Sequence, residues 1–332
     1  MMKTVSVVIP CRNEERTIRQ CVETLAQSYG AGTDYNLELL VIDGLSSDNT
    51  REIVTQAQCD GLPVRIIDNK LKITPVALNL GIQNATGEYV MIASAHSAFD
   101  QNYISILLDE LSRLDADGVG GFMQTIVQHP SPKTLAIIEV MSCKFGVGNA
   151  TFRTGASKVT QVDTVPFGLY KRETLLEVGG YDERLVRNHD IELSKRLLAA
   201  GKRIYLIPHA ICSYFVRETY SAIAQNNFRN GLWNILTVKI TKDFSSLSLR
   251  HFVPLLFLLS LIVPLALAPL WWPLLLVPAL SLACYLLAMG IISAKIATSK
   301  KLNFFYLCWT FMVLHFSYAS GSLVGIFKPV QK

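Results

Sequence analysis

The residues with the clearest chemical potential lie in a charged stretch, Gly179–Gly201, that reads GGYDERLVRNHDIELSKRLLAAG. Three leucines repeat at helical spacing, and a closing glycine is typical of a helix C-terminus. This pattern places Asp190 and Glu192 in the first turn of a helix, where the helix dipole favours negative charge. Two interpretations of Asp190 follow: a carboxylate that caps the helix, or one presented as a general base.

Polar residues also follow four short apolar runs in the first hundred residues. These runs alternate with segments of helical periodicity, which is typical of an α/β fold with a mostly parallel sheet. Because the carboxyl ends of such strands face one crevice, the sequence predicts a ligand site there. The four ends carry Pro10-Cys11-Arg12-Asn13-Glu14, Asp43-Gly44, Asp68-Asn69-Lys70 and Ser94-Ala95-His96. No G-x-G-x-x-G follows the first run and no Walker loop occurs, which disfavours dinucleotide and P-loop sites.

The C-terminal part of the chain has a different composition. No charged side chain occurs from Phe252 to Ala294, and a second apolar stretch covers Phe304–Phe327. Since roughly 18–20 apolar residues cross a bilayer, we expect a membrane domain over 251–328 with about three spans, at 252–270, 271–293 and 304–327. Five prolines and Trp271-Trp272 leave open whether the first run forms two full spans or a re-entrant hairpin.

Residues 1–245 are expected to form a cytoplasmic domain. The apolar opening is too short for a secretory signal, and seven scattered cysteines show neither a metal spacing nor a disulfide framework. Within a net charge of +5, lysines and arginines cluster before the first apolar run and between the two runs, as on a cytoplasmic face. A long helix near 218–245 is expected either to lie in the membrane interface or to face a protein core.

Four segments resemble, in the right order, the glycosyltransferase family 2 enzymes, whose catalytic domain has the GT-A fold. They cover Val7–Glu15, Val41–Thr50, Pro75–Ile92 and Val165–Gly201. Within that family the chain is most similar to membrane-attached bacterial exopolysaccharide enzymes of the succinoglycan glucosyltransferase type. The segments that carry this second likeness are KFGVGNATFR (Lys144–Arg153) and QNNFRNGLW (Gln225–Trp233), together with a motif of the D-A-H kind.

The resemblance implies a GT-A domain of Rossmann-like, mostly parallel topology followed by transmembrane helices, and it implies roles for individual residues. Asp190 is then the catalytic base. The residues expected on the donor nucleotide are Pro10, Arg12, Glu14, Asp43, Lys72, Ser94 and Ala95. Those expected on the acceptor side are His189, Glu192, Arg217, Gln225, Arg229 and Trp233. Structural roles are the alternatives. Asp43 could be an ordinary turn aspartate and Glu14 a carboxylate at a helix N-terminus. The arginines and Lys72 could be solvated surface charges or charges that anchor the chain at the membrane.

One departure from the family pattern bears on the metal. Ser94 stands where the family has an aspartate, so that only the last residue of the motif, His96, is a candidate ligand. Imidazole suits Mn²⁺, whereas Mg²⁺ prefers oxygen ligands. The alternative is a histidine that is hydrogen-bonded at the strand end without any metal. A divalent cation, Mn²⁺ or Mg²⁺, is therefore expected, and the requirement for it is open.

The expected activity is inverting transfer of one hexose from a nucleotide-diphosphate sugar, with UDP-glucose as the expected donor. The acceptor implied by the resemblance is a saccharide on a polyprenyl diphosphate, in bacterial exopolysaccharide synthesis at the inner membrane. Gln225, Arg229 and Trp233 are spaced more widely than the Q-x-x-R-W of processive synthases, which favours single addition. The alternatives are transfer to polyprenyl phosphate itself, or a catalytically degenerate, membrane-anchored protein that binds sugar nucleotides. No nucleic-acid partner is expected.

Overall fold

The computed structural model describes residues 2–28 and 34–330 and divides the chain into two compact units. The first unit comprises Met1–Gln124 and Thr151–Phe215, and the second comprises Thr125–Ala150 and Val216–Lys332. This division differs from the boundary expected near residue 245. The reason is packing: the helices Pro132–Met141 and Tyr220–Thr241 pack against the apolar helix Phe304–Phe327.

Strands and helices alternate along the first unit. The strands are β1 (Lys3–Cys11), β2 (Tyr35–Asp43), β3 (Val64–Asp68), β4 (Tyr89–Ile92), β5 (Ser97–Phe99), β6 (Gly118–Ile126), β7 (Thr160–Gln161), β8 (Leu169–Lys171) and β9 (Ile204–Phe215). The helices of the whole chain are α1 (Ile18–Gln27), α2 (Thr50–Cys59), α3 (Thr74–Asn84), α4 (Tyr103–Arg113), α5 (Pro132–Met141), α6 (Lys144–Val147), α7 (Thr151–Thr154), α8 (Arg172–Glu177), α9 (His189–Ala199), α10 (Tyr220–Thr241), α11 (Val253–Leu267), α12 (Leu276–Lys300) and α13 (Phe304–Phe327). Within residues 2–28 and 34–330 the strands form one mixed sheet in the order β3-β2-β1-β4-β8-β6-β9-β5, with β7 paired to β9.

The first four strands run parallel, as predicted, and the later strands make the sheet mixed. β1 lies between β2 and β4 in parallel register, and β2 pairs in parallel with β3. β8 pairs antiparallel with both β4 and β6, and β5 pairs antiparallel with β9. The expected strand over 162–170 is reduced to β8, because Pro166 and the left-handed Phe167 (φ 44°) interrupt it.

The continuous apolar composition of the strands reflects burial on both faces of the sheet. Along β1, Val5, Val7 and Ile9 face one core, which is completed by α1 and α4. Val8 points to the opposite face and packs with side chains of α3, α8 and α9. Because successive side chains of a strand alternate between faces, a strand that is covered on both sides must be apolar at nearly every position.

The second unit is built around the helices α10 and α13, which run parallel and pack at very short distance. A Cβ atom built on Gly231 would lie 1.9 Å from the Tyr318 carbonyl oxygen, and one on Gly321 would lie 1.9 Å from the Phe228 carbonyl oxygen. At the end of this pair, Lys239 Nζ donates to the Gly325, Ile326 and Lys328 carbonyl oxygens at 2.6–3.0 Å. The lysine thereby satisfies C-terminal carbonyls of α13 and complements its dipole. One face of α10 is therefore a packing surface.

Two segments of the second unit are long and apolar enough to cross a membrane. They are Trp272–Lys300, with a mean hydropathy of 2.3, and Phe304–Phe327, with a mean hydropathy of 1.3. The first apolar helix, α11, has 15 residues. At 1.5 Å per residue it is about 22 Å long, which is short of a hydrocarbon core of about 30 Å. Within the described residues the structure thus forms two candidate spans, where the sequence predicted about three.

The close approach of α10 and α13 makes a stability prediction. Gly231→Leu is expected to lower the free energy of unfolding by about 3 kcal/mol or more, because the new side chain meets backbone atoms that cannot move aside. Gly290→Leu on α12 is the matched control, since a Cβ built at Gly290 has no atom within 4 Å. Thermal unfolding of the detergent-solubilised chain measures both variants. Equal melting temperatures for the two variants would contradict the described packing.

Candidate functional site

A crevice of about 370 Å³ opens where the carboxyl ends of β1, β2, β3 and β4 meet. The parallel registers place Cys11 beside Asp43, and Asp43 beside Asp68, so that the three chain segments leave the sheet together. The residues that line the crevice are Pro10, Cys11, Arg12, Glu14, Gly44, Asn69, Lys72, Ile73, Thr74, Ala77, Ser94, Ala95 and His96. Seven of the predicted donor or metal residues therefore share one cavity, at the edge of the sheet where it was expected.

His96 and Glu14 face each other across this crevice. His96 Nε2 lies 2.9 Å from Glu14 Oε1, and the two side chains are 49% and 20% exposed. The backbone amide of His96 also donates to Ser94 Oγ at 3.3 Å, which fixes the turn after β4. A donor set of one imidazole and one carboxylate would suit Mn²⁺, and in the structure the two side chains are hydrogen-bonded to each other. No cluster of three or more metal-binding side chains occurs in the described parts of the chain.

Asp43, predicted to hold the nucleotide, is engaged by protein groups. Its side chain is 1% exposed, and its Oδ2 accepts from Arg51 Nη1 at 2.6 Å. Oδ1 accepts from the Ser46 hydroxyl at 2.5 Å. The same Arg51 Nη1 donates to Asp68 Oδ1 at 2.8 Å, and the hydrogen bonds that Arg51 donates to Asp68 and Asp43 raise its pKa. The neighbouring Gly44 lines the crevice, and Asp43 does not.

Lys72 reaches the crevice through a local turn organised by Asn69. The Asn69 side chain is 2% exposed and donates from Nδ2 to the Ile73 carbonyl oxygen at 2.9 Å. Its Oδ1 accepts from the Lys72 backbone amide at 3.2 Å. Lys72 adopts φ +61°, a conformation that asparagine turns commonly stabilise in the following residues. The turn presents an exposed ammonium group directly beside the N-terminus of α3, where two positive features add.

Arg12 and Cys11 complete the wall at the end of β1. The exposed Arg12 side chain lies along Gly44, where an added Cβ would come within 3.2 Å of Arg12 Cδ. A larger residue at position 44 would therefore displace the guanidinium. Burial, and after it the nearby carboxylate of Glu14, raises the pKa of the Cys11 thiol, so that this group stays neutral. The cations of the crevice wall are Arg12 and Lys72, with His96 as a titratable neighbour.

The base candidate, Asp190, lies exposed in the first turn of α9, as predicted. It is not among the residues that line the strand-end crevice. The helix begins at His189 after Asn188, which adopts a left-handed conformation (φ +61°). Asn188 makes no side-chain cap hydrogen bond. The Ser194 hydroxyl donates to the Asp190 carbonyl oxygen at 2.8 Å, which ties this first turn to the next.

Glu192, predicted as an acceptor contact, is buried and bound by Arg196. Arg196 Nε and Nη2 donate to the two Glu192 oxygens at 2.6 and 2.8 Å. The same guanidinium donates to the Val178 and Gly180 carbonyl oxygens at 2.5 and 2.7 Å. Both carboxylate oxygens therefore serve the fold, because they hold the arginine that fastens α9 to the glycine turn before it.

Asn79 connects the donor crevice with the segment that leads into α9. Its Oδ1 accepts from the Tyr181 backbone amide at 2.8 Å, and its Nδ2 donates to the Tyr181 carbonyl oxygen at 2.9 Å. Nδ2 also lies 3.0 Å from Glu183 Oε1. Because Asn79 is on α3, whose Ala77 lines the crevice, the amide fixes the base-bearing segment relative to the donor site.

His189 differs from the exposed Asp190 in being half-buried. Its ring packs edge-to-face on Tyr181 at a centroid distance of 5.6 Å, and its Nδ1 atom is buried without a hydrogen-bond partner in the described residues. Burial lowers the pKa of this imidazole, so that it is neutral near pH 7. Its packing on Tyr181 helps to fix the start of α9.

The remaining acceptor-side residues belong to the second unit. Gln225, Arg229 and Trp233 recur every four residues on α10 and form one stripe of that helix, and Arg217 precedes it. Arg217, Gln225 and Arg229 are exposed, and Trp233 is half-buried. Residues that the sequence analysis did not select are Arg51, which bridges two strand ends, and Asn69, which shapes the Lys72 turn. The signal for Arg51 was the pair of strand-end aspartates, since adjacent carboxylates in parallel register require a cation.

Comparison with known proteins places this site in a family. The family model described as glycosyl transferase family 2 matches residues 6–179, which include the crevice. The chain is 32% identical over 213 residues to the succinoglycan biosynthesis protein ExoA of Rhizobium meliloti, a match that covers 64% of this chain and 63% of that protein. It thus spans less than two thirds of this relative's length.

Two further proteins are similar over longer stretches. A dolichyl N-acetyl-alpha-D-glucosaminyl phosphate 3-beta-D-2,3-diacetamido-2,3-dideoxy-beta-D-glucuronosyltransferase of Methanococcus voltae is 26% identical over 254 residues, with 71% and 77% of the two chains covered. The structure of the mannosyltransferase PcManGT from Pyrobaculum calidifontis superposes with a TM-score of 0.58 at 19% identity, covering 97% of this chain and 87% of the other. The structural similarity to PcManGT shows the fold, and the match to the family model shows that the chain is a member of that family. The chain belongs to glycosyltransferase family 2 and has the GT-A fold.

Proposed function

We propose that the protein is an inverting transferase that moves one hexose from a nucleotide-diphosphate sugar to a lipid-linked saccharide. The donor that we propose is UDP-glucose. The observation that carries this proposal is the convergence of Arg12, Lys72, Glu14 and His96 in one crevice, with Asp190 presented on a helix tied to that crevice through Asn79. A leaving diphosphate needs positive charge, and the acceptor hydroxyl needs a base. We assign the positive charge to Arg12 and Lys72 and the base to Asp190.

The donor half of the reaction is assigned to the strand-end crevice. Arg12 and Lys72 are free to meet phosphate oxygens, because neither side chain makes an ion pair with a described carboxylate. Ser94 and the backbone of Ala95 are at the position from which a strand end contacts ribose or diphosphate oxygens. PcManGT, which has this fold, was solved in complex with GDP-Man and Mn²⁺. The binding of a nucleotide sugar by the present chain is inferred by analogy and from these charges.

Glu14 and His96 are the residues that would hold a divalent cation, as their 2.9 Å separation and their donor types allow. A bound cation supplies further positive charge toward the leaving diphosphate. Imidazole takes the place of the oxygen ligand that Ser94 lacks, which favours Mn²⁺ over Mg²⁺. Without a cation, His96 and Glu14 hydrogen-bond each other and leave charge neutralisation to Arg12 and Lys72.

The chemical step is assigned to Asp190. Its carboxylate accepts the proton of the acceptor hydroxyl while the hydroxyl oxygen bonds to the sugar C1, and the bond between C1 and the phosphate oxygen breaks. Attack from the face opposite the leaving group inverts the anomeric configuration. One carboxylate suffices, so that the second carboxylate of a glycosidase pair is not needed, and Glu192 remains bound to Arg196.

The acceptor class is inferred from the second unit and from the relatives. Two helices of suitable length and hydropathy favour an acceptor that lies in a membrane. The Rhizobium relative is named for succinoglycan biosynthesis and the Methanococcus relative for a dolichyl-linked sugar phosphate. Lys239, Lys242 and Arg250 precede the apolar helices, which favours a cytoplasmic site at the plasma membrane.

The direct test is a donor screen with the purified full chain in detergent. UDP or GDP release is measured with a bacterial lipid extract as acceptor, with and without Mn²⁺. We expect release that depends on both a nucleotide hexose and the lipid fraction. A product that is labile to mild acid and forms on polyprenyl phosphate alone would replace the acceptor assignment. Absence of nucleotide binding by calorimetry would overturn the enzymatic proposal.

Asp190→Asn is expected to lower kcat by about 10²–10⁴-fold, because the amide cannot accept the proton of the acceptor hydroxyl. UDP affinity measured by calorimetry is expected to stay within twofold of the parent value, since Asp190 lies outside the crevice lining. Glu177→Gln, which removes an exposed carboxylate paired with Lys202, is the control and should keep full activity. Unchanged turnover in the Asp190→Asn variant would reject the assigned base.

If Glu14 and His96 hold the cation, the protein should prefer Mn²⁺ to Mg²⁺, and the substitution Ser94→Asp should change this preference. His96→Ala should raise the Mn²⁺ concentration for half-maximal UDP binding at least tenfold, because one of two protein ligands is lost. Ser94→Asp should shift the preference toward Mg²⁺ by supplying an oxygen ligand. His209→Ala, at a 56% exposed histidine, is the matched control. The measurement is UDP binding by calorimetry at increasing Mn²⁺ concentrations. If the His96→Ala variant and the parent protein depend on Mn²⁺ identically, His96 is not a ligand.

A further inference from the structure

Arg153 is a half-buried cation that neither the strand-end crevice nor the segment with Asp190 uses. It lies on α7, and its Nη1 atom is buried without a hydrogen-bond partner in the described residues. No carboxylate of residues 2–28 and 34–330 forms an ion pair with it. Its guanidinium carbon is 5.3 Å from the ring centroid of Tyr214 and 5.9 Å from that of Phe152. Burial lowers the pKa of Arg153, because the charged guanidinium loses contact with water and no carboxylate replaces that contact.

Two hydroxyl groups in the same region are also buried without partners among the described residues. Thr154 Oγ1 belongs to the residue after Arg153, and Ser97 Oγ belongs to the strand that pairs with Tyr214. Ser97 and Tyr214 are directly opposite in the antiparallel β5–β9 pair, so their side chains share one face. Two of these unsatisfied donors, on Arg153 and Ser97, therefore lie at Tyr214, and the third is on the residue that follows Arg153.

The immediate neighbours of Arg153 do not neutralise it. The nearest titratable groups are Tyr214 and Cys212, and burial raises the pKa of Cys212 to about 12, which keeps this thiol neutral. The Tyr214 ring attracts the cation through its quadrupole, but it accepts no strong hydrogen bond. Buried charges in proteins are normally paired or bound to a ligand, and unpartnered buried donors are rare. An anion with several acceptor oxygens would suit these donors.

We propose that Arg153 and Thr154 form an anion subsite that binds a phosphate group of the acceptor, apart from the donor crevice. The planar guanidinium matches the oxygen spacing of phosphate in a two-pronged contact, and a threonine hydroxyl adds a third donor. Because α7 has only four residues and is followed by an exposed loop at 155–158, entry requires a local displacement of this segment. The phosphate chemistry rests on these groups, and the acceptor as its source rests on the proposed function.

The test uses the detergent-solubilised full chain with its donor site saturated by UDP. Inorganic pyrophosphate is then added and the melting temperature is measured for the parent, Arg153→Met and Arg153→Lys. Arg113→Met, at a 60% exposed arginine of α4, is the matched control. We expect pyrophosphate to raise the melting temperature of the parent and the control. Arg153→Met should lose this shift and should melt no lower than the parent without pyrophosphate, since an unpaired buried charge is removed. Arg153→Lys should bind pyrophosphate at least tenfold more weakly.

Kinetics with a lipid-linked acceptor then identify the source of the phosphate. A rise in the acceptor KM of at least tenfold for Arg153→Lys, with unchanged UDP affinity, supports the lipid diphosphate. An unchanged KM together with a lost pyrophosphate shift keeps the subsite and assigns it to a soluble phosphate. A pyrophosphate shift that persists in Arg153→Met, or a large drop in its ligand-free melting temperature, overturns the proposal in favour of a structural cation–π contact. If no sugar is transferred by any variant while the parent still responds to pyrophosphate, only the proposed function fails.

Discussion

Parallel hydrogen bonding of β1 with β2 and β4, and of β2 with β3, is the constraint on which the site depends. This pairing brings four strand ends to one edge, and it also forces Asp43 and Asp68 into neighbouring register positions. Two adjacent carboxylates repel each other unless a cation lies between them. Arg51 supplies that cation with a single Nη1 atom that donates to both. The loop after β2 is then held through Ser46, and Gly44 forms the wall against Arg12.

Helix α9, which carries Asp190, is held by a second set of polar contacts to the glycine turn and to the residues that follow it. Arg196 binds the turn carbonyls from one side while Glu192 neutralises it, and Asn79 binds Tyr181 from the other. Charge-assisted bonds of this kind are strong where water is excluded. Asp190 stays exposed while Glu192, Arg196 and Asn79 near it have fixed partners. This arrangement suits the proposed role of Asp190 as a base, which must be both positioned and accessible.

The second unit obeys different packing rules. Small residues let α10 and α13 approach until backbone and glycine are in contact, which is how helices associate when the surroundings are as apolar as their side chains. Most of α12 remains exposed, as expected of a surface that meets lipid. α11 is shorter and carries Pro264, and the exposed Trp271 and Trp272 follow it, a composition typical of a membrane boundary.

The sequence by itself determined the α/β order, the parallel strand ends and the first-turn position of Asp190. These features follow from local rules: the two-residue alternation of strands, helical spacing and the preference of carboxylates for helix N-termini. It did not determine which strand-end side chains are free. Asp43 and Glu192 had the right chemistry, yet each is held by an arginine: helical i, i+4 spacing already allows the Glu192–Arg196 pair, whereas the Asp43–Arg51 pair depends on how the strand end and α2 pack. Only tertiary structure decided that pairing, because a buried carboxylate takes whichever cation the fold brings within reach. The same reason explains Arg153, whose lack of a partner became visible only when its surroundings were in place.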